Sequence, residues 1–86
     1  MPEISRFFGV VIKMFFDDHN PPHFHAEYAG KQMVVAIDSL AVIGGRLTPR
    51  ATALVMEWGA LRQRELQAAW QQARSQQVID TIDPLP

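Results

Sequence analysis

The sequence predicts an α+β fold, with a small antiparallel sheet of three to four strands and one long helix packed across it. The first half of the chain alternates segments rich in aromatic and β-branched residues with short turns that contain glycine or proline. The second half contains a run without internal proline that begins with a helix-start signal. Because the chain has only 86 residues, we expect a single domain that spans residues 1–86.

Four segments predict the strands. The segment Phe7–Phe16, FFGVVIKMFF, is apolar on nearly both faces, which is typical of a strand that is covered on both sides. Residues His23–Ala29 alternate between polar and apolar, and the Gly30-Lys31 pair that follows is a hairpin signal. The segment Gln32–Asp38 predicts a third strand, and Leu40–Ile43 predicts a short fourth strand that two glycines close.

Thr48 and Pro49 predict the start of the helix, because threonine is a good N-cap and proline is favoured at the first helical position. From there to Arg74, apolar residues recur at helical spacing and form one face. The members of this face are Ala51, Leu54, Val55, Trp58, Leu61, Leu66, Ala69, Trp70 and Ala73. After the helix we expect Val78–Ile82 to add a short strand and Pro84–Pro86 to form a frayed tail.

Composition and charge restrict the location and the partners. The chain has no cysteine, which excludes disulfides and thiolate zinc sites and favours a cytoplasmic location. The N-terminus does not resemble a leader, and no stretch approaches the roughly 20 apolar residues of a membrane span, so we expect no membrane association. The net charge of -1 does not favour nucleic acid through overall charge. Hydrophobic residues make up 48% of this short chain, from which we expect a homodimer that covers apolar surface.

The segment Asp17–Glu27, DDHNPPHFHAE, has the clearest chemical potential, since it contains every histidine of the chain beside several carboxylates. Because residues two apart in a strand share a face, His23, His25 and Glu27 are expected to point the same way. Neighbouring members of that set lie about 6.6 Å apart along the strand, so their side chains can converge on one ion or small group. His19 lies across the proline turn and can fold back towards them.

Three interpretations of this segment follow. In the first, imidazole and carboxylate groups bind a divalent transition metal, for which Zn, Fe, Ni and Cu are the candidates. The expected metal ligands are His19, His23, His25 and Glu27. In the second, His23 and His25 act with Asp18 as catalytic acid and base in RNA cleavage, and Lys13 or a helix arginine stabilises the developing negative charge. In the third, the histidines bond backbone carbonyls, the aspartates accept backbone N–H groups, and the motif is a structural turn.

Three longer stretches are also distinctive: PEISRFFG at the start, FFDDHNPPHFHAEYAG in the middle, and LVMEWGALRQREL with a later tryptophan in the helix. Together they resemble a widespread bacterial family of short proteins that is catalogued as a domain of unknown function. The resemblance covers essentially the whole chain, and the family's hallmark motif falls on Asp17–Ala26. Members are often encoded beside a second small protein, and the pair is commonly suspected to be a toxin–antitoxin module.

The resemblance therefore implies a toxin-like or regulatory component of a bacterial two-gene module with a small cognate protein partner. If the protein is an enzyme, the histidine motif favours a histidine- or metal-dependent ribonuclease, with RNA as the target. The alternative is a non-enzymatic protein-binding module, in which the motif is a rigid turn and the apolar strand and helix contact a partner or a second copy.

Overall fold

Five strands form one antiparallel sheet, and two helices follow them in the chain. The structure, a computed structural model, describes residues 2–16 and 18–86. The strands are neighbours in the order in which they occur along the chain, so each pair is joined by a short connection. The elements are β1 (Glu3–Phe7), β2 (Val10–Lys13), β3 (His23–Tyr28), β4 (Lys31–Ala36), β5 (Val42–Gly45), α1 (Pro49–Leu61) and α2 (Gln63–Arg74). The predicted α+β class and the antiparallel sheet are confirmed, whereas the predicted strand count and the single helix were wrong.

The long strand predicted over Phe7–Phe16 is in fact a hairpin. Strand β1 ends at Phe7 and β2 begins at Val10, with Phe8 and Gly9 between them at φ values of +49° and +84°. Two consecutive residues with positive φ form the tight turn that matches the twist of antiparallel strands. Phenylalanine rarely adopts positive φ, so the sequence at Phe8 lacks the turn signal that asparagine or glycine would provide.

Trp58 of α1 joins the helix layer to one face of the sheet. Its side chain is fully buried, and its ring lies 5.5 Å from the ring of Phe7 and 5.6 Å from that of Phe24, centroid to centroid. A Cβ atom on the next residue, Gly59, would lie only 3.1 Å from Leu40 Cδ2, so glycine lets α1 approach the sheet closely. This contact buries the side of β3 that carries Phe24 and leaves the opposite side partly exposed.

The predicted helix is interrupted at Arg62. Its start is as predicted, because Thr48 Oγ1 accepts a hydrogen bond from the Ala51 N–H at 3.3 Å and Pro49 occupies the first turn. At Arg62 the backbone leaves helical geometry, with φ -112° and ψ 20°, and separates α1 from α2. Leu61, expected on the apolar face, is exposed just before this break. Among the described residues, no helix is both long and apolar enough to cross a membrane.

The C-terminal segment packs against the rest of the protein instead of fraying. The strand predicted over Val78–Ile82 is absent, although the Ile82 N–H donates to Ile4 O at 2.7 Å. The indole N–H of Trp58 donates to the carbonyl of Asp83 at 2.9 Å. Leu85, in the predicted frayed tail, is buried within the core. Apolar side chains and single hydrogen bonds thus hold this segment without a regular ladder.

The hairpin between β3 and β4 gives a test of its backbone geometry. Ala29 and Gly30 occupy its turn with φ values of 51° and 78°, and positive φ strains an alanine but not a glycine. We expect Ala29→Gly to raise the free energy of unfolding by about 1 kcal/mol, measured by urea denaturation. The same change at Ala53, exposed within α1, should lower it by about 1 kcal/mol. An equal decrease in the free energy of unfolding for both substitutions would contradict the positive φ of Ala29 in the hairpin.

Candidate metal centre

Asp18, His23 and His25 bring three potential metal-ligand atoms together. The Nε2 atom of His23 lies 2.8 Å from Oδ2 of Asp18, and the Nε2 atom of His25 lies 3.4 Å from the same oxygen. One ligand atom from each of the three residues lies within 4.8 Å of the other two. Two imidazoles and one carboxylate therefore converge on a common point at the start of β3.

The alternation of β3 explains why the two histidines lie on the same side. Phe24 and Ala26 are fully buried towards the helices, so His23 and His25 project from the other face, at the start of the strand. Asp18 reaches them from the turn that precedes the strand, in which the Asn20–Pro21 peptide bond is cis. The backbone N–H of residue 19 donates to Oδ1 of Asp18 at 3.1 Å, which leaves Oδ2 for the imidazoles.

The hydrogen bonds of His23 determine which of its nitrogen atoms can bind a metal. Its Nδ1 lies 2.7 Å from the carbonyl oxygen of Pro21, which can only accept, so Nδ1 carries a hydrogen and donates it. The Nε2 atom faces the Asp18 carboxylate, which also accepts. Nε2 therefore either donates a second proton to Asp18 or shares a bound cation with it. A histidine that donates one ring N–H to a backbone carbonyl and presents the other nitrogen has the usual arrangement of a metal ligand.

Opposing effects set the charge of Asp18. Burial by itself raises the pKa of this carboxyl group, because it disfavours the charged form. The hydrogen bond from His25 and the charge of His23 act in the other direction and together hold the pKa of Asp18 below its ordinary value. Asp18 is consequently a carboxylate at neutral pH, which is the form that binds a metal ion.

Aromatic side chains enclose the two imidazoles. The ring of Trp70, from α2, lies 5.3 Å from the His23 ring, and the ring of Phe15 meets the His25 ring edge-on at 4.6 Å. The side chain of His23 is 10% exposed and that of His25 is 19% exposed, so the cluster is sheltered but still reachable from solvent. Trp70 is expected in the core from its helical spacing, but its contact with His23 does not follow from the sequence, because no periodicity relates a helix to a distant strand.

Two of the predicted metal ligands lie outside the cluster. His19 has a side chain that is 94% exposed, and its Nδ1 lies 3.8 Å from Oδ1 of Asp18, on the far side of the carboxylate. Glu27 shares the sheet face of His25, but its carboxylate lies 3.0 Å from Lys13 Nζ and accepts a hydrogen bond from Gln32 at 2.9 Å. Asp17, the first residue of the histidine segment, lies outside the described residues.

Lys13 determines the state of Glu27. The hydrogen bond from Lys13 lowers the pKa of Glu27; burial raises it to a smaller extent, and the bond from Gln32 lowers it further. Glu27 is thus an ionised carboxylate with two partners in the described structure. Asp18, which sequence analysis proposed as a catalytic residue beside His23 and His25, takes the position of the acidic ligand that Glu27 was expected to fill.

The geometry of the three ligand atoms fits one transition-metal ion. Metal–ligand bonds of about 2.0–2.2 Å place neighbouring ligands about 3.0–3.5 Å apart around a tetrahedral or octahedral ion. The two nitrogen–oxygen separations of 2.8 and 3.4 Å are close to that range, and the three ligand atoms together lie within 4.8 Å of one another, so an ion would be admitted once side-chain rotations bring all three to that spacing. Two neutral imidazoles and one carboxylate suit Zn, Fe, Ni or Cu, and three protein ligands leave coordination positions free for water or substrate.

The fold and this cluster define a small α+β protein with a candidate single-metal centre at the start of its third strand. The family model for a domain of unknown function, DUF4160, matches residues 9–71, and the chain belongs to that family. The matched region includes Asp18, His23 and His25 as well as both helices up to residue 71. No curated protein and no solved structure matches the chain.

The proton on His23 Nδ1 can be observed directly. We expect a long-range ¹H–¹⁵N correlation spectrum of the metal-free protein to show a protonated Nδ1 at His23, because the carbonyl of Pro21 accepts from it. The ring of His19, 94% exposed and without a backbone carbonyl partner among the described hydrogen bonds, provides the control and should not show the same fixed Nδ1–H signal. A His23 ring with an unprotonated Nδ1 would contradict the assigned hydrogen bond and the ligand role of Nε2.

Proposed function

We propose that Asp18, His23 and His25 bind one divalent transition-metal ion and that the protein uses this ion as a hydrolytic centre, with RNA as its substrate. A bound ion of this kind supplies an activated water at neutral pH. The chain contributes the three ligands, the orientation of each ring and a partly enclosed surface beside the free coordination positions. In the cell, this activity would belong to the toxin-like component of a two-gene module.

The pair of hydrogen-bond acceptors around His23 is the observation that carries the proposal. One nitrogen of the ring donates to Pro21 O, and the other points at a carboxylate oxygen that His25 also approaches. A cation at this point would satisfy the lone pairs of both Nε2 atoms and of Asp18 Oδ2 at the same time. The backbone carbonyl would then act as the outer partner that fixes the ring in its metal-binding tautomer.

The solvent exposure of the side chains in the cluster indicates from which side a substrate would approach. Trp70 covers one side of the His23 ring, and the side chains of Asp18 and His25 each retain 19% of their accessible surface. The free coordination positions would therefore face the uncovered surface of the sheet, where His25 has Lys13 as its neighbour in β2. An extended, anionic chain such as single-stranded RNA can approach this open surface more easily than it could a deep pocket.

Metal binding predicts a specific pattern of thermal stability. We expect zinc at a hundred times its dissociation constant to stabilise the protein by about 2.7 kcal/mol, which would raise Tm by roughly 10 °C or more. His25→Ala should lower the zinc affinity by at least about a hundredfold, since it removes one of three ligands. The measurement is differential scanning fluorimetry of protein purified without a histidine tag, with zinc, nickel and cobalt.

His19→Ala is the matched control for that experiment, because it removes an imidazole from the same motif but from a side chain that is 94% exposed. It should leave the zinc-induced rise in Tm unchanged, and so should Glu27→Gln. A loss of metal binding in His19→Ala equal to that in His25→Ala would show that the ligands are those the sequence pattern favoured. No change of Tm with any of these metals would reject the metal centre.

RNA cleavage is the second testable part of the proposal. Metal-loaded wild-type protein should degrade a single-stranded RNA, and His25→Ala should reduce the rate by roughly a hundredfold or more, followed by gel electrophoresis of labelled RNA. His19→Ala should cleave at close to the wild-type rate. RNA that stays intact with metal-loaded wild-type protein would remove RNA hydrolysis and leave the metal centre to be explained by another reaction.

A non-enzymatic binding module remains the second candidate, and the same hydrogen bonds favour it. His23 contacts both the Pro21 carbonyl and the Asp18 carboxylate, so these hydrogen bonds can serve only to fix the conformation of the turn before β3. Phe8 and Ile43 expose large apolar side chains that a protein partner would cover. In this case Asp18→Ala would destabilise the protein, while added zinc would alter the stability of neither the wild type nor the variant.

A further inference from the structure

Lys13 and Glu27 lie beside the candidate metal centre on the same face of the sheet. Lys13 of β2 is the direct cross-strand partner of His25 in β3, and Glu27 follows His25 by two residues along β3. Directly opposed residues of antiparallel strands have Cβ atoms about 4.5–5.5 Å apart and point to the same side. The lysine of β2 and the glutamate of β3 therefore form a pair next to one ring of the centre.

The position of Lys13 is unusual for a lysine. It ends a strand of otherwise apolar residues, and its side chain is only 18% exposed. Partial burial of an ammonium group costs free energy unless a partner compensates for it, and Glu27 Oε1 supplies that partner at 3.0 Å. Glu27 in turn accepts a hydrogen bond from Gln32 of β4 at 2.9 Å, so its carboxylate is held on two sides. The Lys13 ammonium group is thus held in one place by its ion pair, unlike that of a mobile surface lysine.

We propose that Lys13 is the anion-binding residue of the centre and that it contacts a phosphate oxygen of the bound substrate. This inference rests on the proposed metal centre and names the phosphate ester as the group that the centre recognises. Glu27 pairs with the ammonium group while the site is empty, and the phosphate takes its place when the substrate is bound. The exposed His19 and the distant Lys31 take no part.

The charges of the site select this class of ligand. A divalent ion bound by one carboxylate and two imidazoles keeps one net positive charge, and Lys13 places an ammonium group beside it that Glu27 neutralises until an anion takes its place. A phosphate group has several oxygens that can bind a metal ion and an ammonium group together, and lysine is a common phosphate ligand in proteins. The whole chain has a net charge of -1, so recognition of an anion depends on the local contacts with the metal ion and the Lys13 ammonium group and not on long-range attraction.

The test uses cobalt-loaded protein and inorganic phosphate. Cobalt reports its ligands through its visible absorption, so titration with cobalt gives the metal affinity, and a second titration with phosphate gives the affinity for the anion. In Lys13→Met we expect an unchanged cobalt affinity and at least about tenfold weaker phosphate binding, because a charge-assisted hydrogen bond is lost. Lys31→Met removes an exposed lysine from the far end of the β3–β4 hairpin and should bind both like the wild type.

Two further variants keep the test decisive if Lys13→Met does not fold. Lys13→Arg retains the positive charge and should bind phosphate within a few-fold of the wild type. Glu27→Gln removes the competing carboxylate and should bind phosphate several-fold more tightly, with an unchanged cobalt affinity. If the wild type, Lys13→Met and Glu27→Gln all bind cobalt and have equal phosphate affinity, Lys13 does not bind the anion. That result would leave the metal centre itself unaffected. Failure of the wild type to bind cobalt would overturn the metal centre and this inference with it.

Discussion

The imidazole of His23, held between the carbonyl of Pro21 and the carboxylate of Asp18, is the constraint on which the candidate site depends. The contacts of 2.7 and 2.8 Å use both ring nitrogens and connect the turn before β3 to the strand itself. Without the Pro21 bond, the ring could rotate and offer either nitrogen, and Asp18 would lose the partner that directs its Oδ2 inward. A single side chain thus determines the geometry of the turn and the direction of the potential ligand atoms.

The rest of the fold restricts the position of the His23 ring. Pairing with β2 and β4 fixes β3 in the middle of the sheet, and Phe24 anchors it through its contact with Trp58. Trp70 of α2 then packs against the outer side of the His23 ring. The helices therefore do more than cover the core, because α2 restricts the position of a residue on the candidate site. The break at Arg62 separates the helix that binds the sheet from the helix that reaches this ring.

The features that follow from local periodicity could be predicted from the sequence. The two-residue period of HFHAEY placed His23 and His25 on the face opposite Phe24, and the Thr48-Pro49 pair marked the helix start. The hairpin at Phe8 was missed because a residue that disfavours positive φ occupies it. Val78–Ile82 was predicted as a strand, but only Ile79 and Ile82 pack on the core, Val78 is exposed, and a single hydrogen bond to Ile4 takes the place of a ladder.

The membership of the cluster depends on information that periodicity does not contain. Glu27 shares the face of His25, yet the strand register places Lys13 within its reach, and its carboxylate pairs with Lys13 instead of joining the cluster. Whether Asp18 or His19 turns inward depends on backbone dihedral angles in a proline turn. Residue types and spacing were enough to predict that His23 and His25 lie together. The third member could be identified only from three-dimensional contacts.

X-ray absorption spectroscopy at the zinc edge, on protein loaded with one equivalent of zinc, tests the central claim most directly. We expect outer-shell scattering from two imidazole rings, together with oxygen ligands at about 2.0–2.2 Å. A spectrum with three imidazoles would bring His19 into the first coordination sphere and contradict the geometry described above. A spectrum of hydrated zinc, with no imidazole scattering, would mean that the convergence of Asp18, His23 and His25 serves only to fix the turn.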